Sequence, residues 1–128
     1  MKIYKFVLVI FFILCIQGCN SETITYNEIT PDKAYEIIEN NNEIVIIDVR
    51  EESEYETGHL IDSVNIPLGT IEQSITKVVD NKETSIIVYC KSGVRAIDAS
   101  KILINKGYTN VYTFGGIDSW EYEITKKW

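Results

Sequence analysis

Three things are scarce in this chain: positive charge, histidine and long apolar runs. Twelve Lys and Arg stand against nineteen Asp and Glu, for a net charge of −7. An acidic surface repels phosphate backbones, which excludes nucleic acid as a partner. The longest apolar run, Phe6 to Ile16, is well short of the ~20 residues that cross a bilayer as a helix. There is no internal repeat, low-complexity tract or second domain. A length of 128 residues, 45% of them hydrophobic, suits one globular domain once a targeting segment is set aside.

Such a segment is written at the start. Met1-Lys2-Ile3-Tyr4-Lys5 is a short basic stretch, and the apolar run behind it reads as an export signal. The run ends in Ile16-Gln17-Gly18-Cys19, which resembles the bacterial lipobox, where a small residue precedes a cysteine that is diacylated and becomes the mature N-terminus. Gln17 departs from that pattern, and the bulky Leu14 makes Cys15 a poorer candidate. The expectation is a lipoprotein signal peptide over 1–18, a lipidated polar tether over 19–25 and a folded domain over 26–128. Lipid on Cys19 then holds the domain outside the cytoplasm at a bacterial membrane. Loss of Lys2 and Lys5 with the signal leaves ten basic and nineteen acidic residues, net minus nine.

Cys90 is then the only thiol of the domain and has no intramolecular partner. An oxidising compartment leaves an unpaired thiol open to attack, and a catalytic role accounts for its presence. One cysteine and His59 are too few for a zinc or iron–sulfur site, so no metal and no cofactor is expected.

Strands and helices alternate along the domain. Thr30-Pro31 opens a helix to about Glu39, with Thr30 as its N-cap and Ala34, Ile37 and Ile38 as its apolar stripe. Ile44 to Val49 is a continuous β-branched run of the kind found in parallel strands covered on both faces. Val64 to Pro67 suits a short edge strand, and Leu68, Ile71, Ile75, Val78 and Val79 recur at helical spacing. Ser85 to Tyr89 is a second buried strand, Val94 to Lys106 a helix stopped by Gly107, and Asn110 to Phe114 a third strand. This order predicts an α/β domain of three layers, a central parallel sheet flanked by helices, with ligands at the carboxyl ends of the strands.

Cys90-Lys91-Ser92-Gly93-Val94-Arg95 lies at one of those ends. A short loop entering a helix turns backbone N–H groups inward, and the helix terminus adds partial positive charge. Together with Lys91 and Arg95 this favours the anionic, nucleophilic form of the sulfur. Gly93 supplies a conformation barred to other residues and room above the thiol.

In this setting the loop resembles the active-site loop of the single-domain rhodanese family of sulfurtransferases. Asp48-Val49-Arg50, Tyr55-x-x-Gly58-His59-Leu60, Asn65-Ile66-Pro67, and Gly115-Gly116 followed by Trp120 match the family's order and spacing over residues 26–124. The resemblance implies a double displacement. Cys90 takes the outer sulfur of a small anionic donor such as thiosulfate, releasing sulfite, and is left as a persulfide. Cyanide, a thiol, or an exported protein acceptor then removes the sulfur. Lys91, Ser92, Gly93, Val94 and Arg95 would bind the donor and hold the developing charge. The family has Ser or Thr after the loop arginine; Ala96 stands here, at the loss of one hydroxyl.

Other residues read more plainly. Asp48 and Arg50 support the neighbouring loop rather than touch substrate, and His59 belongs to a turn. Phe114, Trp120 and Tyr122 are packing residues, and Gly115-Gly116 permits a tight turn. A cysteine-dependent phosphatase needs five residues between Cys and Arg, and this loop has four. A membrane-displayed rhodanese-like binding module and a persulfide carrier without thiosulfate turnover are the alternatives to an enzyme.

Overall fold

The computed structural model describes residues 23–126. The expected signal peptide and Cys19 lie outside the described residues, as does most of the tether; residues 23–25 run without regular structure. In chain order the elements are β1 (Asn27–Glu28), α1 (Pro31–Asn40), β2 (Val45–Asp48), α2 (Glu52–Thr57), β3 (His59–Leu60) and β4 (Val64–Asn65). A 3-10 turn (Leu68–Thr70) leads to α3 (Ile71–Val78), β5 (Ile86–Cys90), α4 (Val94–Asn105) and β6 (Val111–Gly116). A second 3-10 turn (Ile117–Ser119) and β7 (Ile124–Thr125) complete the described chain.

Five strands form one parallel sheet in the order β1-β6-β5-β2-β4, while β3 and β7 pair antiparallel beside it. The β-branched runs occupy the middle because their side chains are buried on both faces. Ile47, Ile86 and Val88 point into a core closed by α3 and α4 through Ile71, Ile75, Ala96, Ala99 and Leu103. The alternating residues Ile46, Ile87 and Tyr89 point into the opposite core with Ala34 of α1 and Phe114. The fold is the expected three-layer α/β sandwich with a central parallel sheet.

Several local expectations are met in atomic detail. Thr30 caps α1 by accepting the Lys33 N–H at 3.1 Å, with Pro31 at the first turn. Gly107, at φ 94°, takes the left-handed conformation that ends α4. The segment 64–67 is shorter as a strand than its sequence suggested, with only Val64 and Asn65 pairing at the sheet edge. The third strand runs two residues further than Phe114, through Gly115 and Gly116.

That extension positions the site. Val88 pairs with Thr113 and Cys90 with Gly116, so β6 holds one more residue than β5 over this span. The extra residue is a bulge, and bulges kink a strand and aim its backbone. Here Gly115, at φ 97°, is turned toward the end of β5.

Candidate active site

Cys90 ends β5 with its side chain on the α3/α4 face, and it is 1% exposed. Three residues later the chain enters α4, whose N-cap is Gly93 at φ 125°. The Gly93 N–H turns back and donates to Cys90 Sγ at 3.0 Å. From the other side the Gly115 carbonyl oxygen lies 3.8 Å from the sulfur. A fixed N–H at the positive end of a 12-residue helix favours negative charge on that atom, whether thiolate or persulfide.

The loop is clasped by β6 at backbone distance. A Cβ on Gly93 would lie 3.2 Å from Gly115 Cα. One on Gly116 would sit 2.0 Å from the Lys91 carbonyl oxygen and 2.7 Å from Ser92 N. The Lys91 carbonyl also accepts the Asp118 N–H at 3.1 Å. The glycine pair thus lets two backbones touch beside the thiol.

A family model for the rhodanese-like domain matches residues 30–123. The chain belongs to the rhodanese-like family. Its relatives include a protein of Coxiella burnetii named thiosulfate sulfurtransferase GlpE, 28% identical over 97 residues, which cover 75% of this chain and 88% of that one. A tRNA uridine(34) hydroxylase of Photorhabdus laumondii is 32% identical over 80 residues, 59% of this chain. The chain spans only 23% of that hydroxylase's length. Among solved structures, a rhodanese with anions from E. coli is 32% identical at a TM-score of 0.63, covering 66% of this chain and 99% of that one. A rhodanese-related protein from Thermoplasma volcanium is 28% identical at a TM-score of 0.69, covering 80% of this chain and all of that one.

In this rhodanese-like domain the two loop cations are each engaged by a carboxylate. Arg95 makes a bidentate pair with Glu54 of α2, at 2.7 and 3.0 Å. Those hydrogen bonds hold the Glu54 carboxyl down at about 2. They also raise the Arg95 guanidinium above its ordinary value, with a smaller contribution from the Cys90 sulfur. Arg95 therefore senses the thiol while its charge is shared. Lys91 pairs with Asp118 at 3.1 Å on the open surface. Ser92 is exposed, and Val94 is 70% exposed at the first turn of α4. Ala96 is fully buried in the core against α3.

Asp48 and Arg50 support the architecture from beneath. Both are buried, and Arg50 Nη2 donates to Asp48 Oδ2 at 2.8 Å and to the Gly58 carbonyl at 2.7 Å. Asn65 Nδ2 donates to the carbonyls of Asp48 and Arg50. The pair thereby ties the end of β2 to Gly58 at the close of α2, the helix that carries Glu54. His59 stacks on Tyr55 with ring centroids 3.6 Å apart, and its Nδ1 lies 2.7 Å from the Tyr55 carbonyl. That contact requires Nδ1 to carry the proton.

Glu54, Asp118 and Tyr89 escape a reading of the sequence. The Tyr89 hydroxyl accepts the Leu60 N–H at 3.0 Å and lies 3.2 Å from Ser63 Oγ, and burial keeps the phenol protonated. Glu54 did carry one local signal: with Glu51 it forms a capping box at the start of α2.

Proposed function

We propose that the protein is a sulfurtransferase of the thiosulfate type that carries sulfane sulfur as a persulfide on Cys90. The observation that carries this reading is the Gly93 N–H on Cys90 Sγ at the mouth of α4, which favours a charged sulfur there. In the first step the Cys90 thiolate attacks the outer sulfur of the donor; the S–S bond of thiosulfate breaks and sulfite leaves with its electron pair. In the second, cyanide or a thiol attacks the outer sulfur of the persulfide and the electron pair returns to Sγ. Lipid at Cys19 would present this chemistry at the outer surface of a bacterial membrane, supported by the Gly18-Cys19 junction after the apolar run. Substitution Cys19→Ser should move the chain out of the detergent phase on phase separation, and retention there would remove the lipid from the proposal.

A second reading, a persulfide carrier charged by another protein, is favoured by the engagement of Lys91 with Asp118 and Arg95 with Glu54, which reduces the cationic pull on free thiosulfate. One experiment separates the two. The full-length chain, reduced and in detergent, is mixed with thiosulfate; sulfite release and a gain of one sulfur on the Cys90 peptide are recorded, with Cys90→Ser as control. Transfer that is reversed by cyanide and absent from the control supports the enzyme. Loading from an alkyl persulfide but not from thiosulfate supports the carrier, and loading from neither overturns both.

A further inference from the structure

Beside the Cys90 loop lies a cavity of about 300 Å³ between β1, the start of α4 and the bulge of β6. Its walls include Gly93 and Gly115, whose backbone N–H and carbonyl respectively face the sulfur. Val94 and Ile97 of α4 give it an apolar side beside Ser92 and Thr113, and Glu28 is the one ionisable residue there. Thiosulfate is a compact dianion with no apolar body to fill such a space. The nearby loop cations do not offset Glu28, because Lys91 and Arg95 are each paired with a carboxylate. The chain as a whole is acidic as well, with nineteen Asp and Glu against twelve Lys and Arg.

We propose that this cleft seats the body of the sulfur acceptor, a small thiol that is neutral or cationic, and that Glu28 selects its charge. The assignment rests on the sulfurtransferase reading and names the substrate class of its second step. The acceptor thiol gives its proton to solvent, and the thiolate attacks the outer sulfur of the persulfide. A sulfur–sulfur bond forms to the acceptor, the bond from that sulfur to Cys90 Sγ breaks, and its electron pair remains on Sγ. No oxidant or reductant is required. An aliphatic carbon chain packs on Val94 and Ile97, while an ammonium at its far end meets the Glu28 carboxylate.

The test uses probes that approach the same sulfur without any persulfide. The full-length chain in detergent is treated with aminoethyl, methyl or sulfonatoethyl methanethiosulfonate, and mixed disulfide is counted by mass on the tryptic peptide 83–91, which contains Cys90 but neither Cys15 nor Cys19. The cationic reagent should outpace the anionic one by about tenfold at low salt, the order expected of one carboxylate within a Debye length. Glu28→Gln should bring that ratio to about one, and Glu28→Lys should reverse it about tenfold. A ratio that Glu28→Gln and Glu28→Lys leave unchanged within about twofold overturns the proposal. In a second arm, persulfide-loaded protein is discharged by aminoethanethiol, 2-mercaptoethanol or 3-mercaptopropionate, with rates compared per thiolate, and the same charge order is expected. A chain that takes up persulfide but shows no Glu28-dependent order refutes the acceptor assignment alone. One that shows the order with the thiosulfonates but never carries persulfide from any donor overturns the sulfurtransferase reading, and the acceptor role with it.

Discussion

Gly116→Ala is the substitution whose consequence follows most directly from the geometry of this domain. Gly116 has φ −160°, an extended conformation that alanine adopts freely, so backbone strain contributes nothing. Space decides the outcome. The added methyl would stand 2.0 Å from the Lys91 carbonyl oxygen, 2.2 Å from its carbon and 2.7 Å from Ser92 N. Ordinary contact begins at 3.4 Å, so the two backbones must separate by about 1.4 Å. Neither can yield as a flexible side chain would, because β6 is paired with β5 and the Lys91 carbonyl is tied to the Asp118 N–H. Overpacking of a rigid site costs ~3 kcal/mol, which for a domain of this size lowers Tm by about 10 °C or more.

The displacement also has a direction. It pushes the loop away from the bulge that places Gly115 beside the sulfur, and it carries Gly93 N–H off Sγ. Thermal unfolding and the rate of sulfur loading on Cys90 should therefore fall together. Two other glycines serve as controls. Gly69→Ala meets nothing within 4 Å and should change neither measurement. Gly107→Ala also meets nothing but has φ 94°, so it should lose ~1 kcal/mol of stability while Cys90 keeps its reactivity. A Gly116→Ala protein that melts with Gly69→Ala and loads sulfur at the same rate would refute the reasoning.

Two further predictions concern the charges around the loop. The Glu54 carboxyl, held at about 2 by Arg95 against 4.5 ordinarily, contributes stability that is fully present above pH 4.5 and is lost as pH falls toward 2. Unfolding free energies of wild type and Glu54→Gln from urea titration should differ by ~1 kcal/mol at pH 6 and converge near pH 2, and a constant offset across that window would sink the assignment. Asp48→Asn leaves the buried Arg50 guanidinium without its counter-charge and should cost ~3–5 kcal/mol in urea unfolding. Glu36→Gln, which removes an exposed partner of Lys33, should cost ~0.5 kcal/mol or less, and equal losses in the two variants would contradict the burial argument.

The parts of the fold that were legible in the sequence are those whose residues are buried in a repeating pattern. β2 and β5 announce themselves because both faces of each strand are covered, and α3 because Ile71 and Ile75 recur on one buried side. α2 has no buried residue, so no periodicity marks it; its acidic segment is held by the capping box and by the pair with Arg95. β1, β3 and β7 are two residues each, too short to show alternation, and exist because distant partners supply their hydrogen bonds. The bulge in β6 is one extra residue, visible in the chain only as Gly115-Gly116. The same division runs through the site. Cys90, Gly93 and the helix they introduce are contiguous, so one short motif specifies the N–H on the sulfur. The charge around that sulfur is not contiguous: Glu54 is 41 residues from Arg95, and Asp118 is 27 from Lys91. A loop read by itself as doubly cationic is, once folded, close to neutral, with Glu28 lining the cleft beside it. The motif therefore determines which atom carries sulfur, while residues far from it in the chain determine the charge of what can approach that atom.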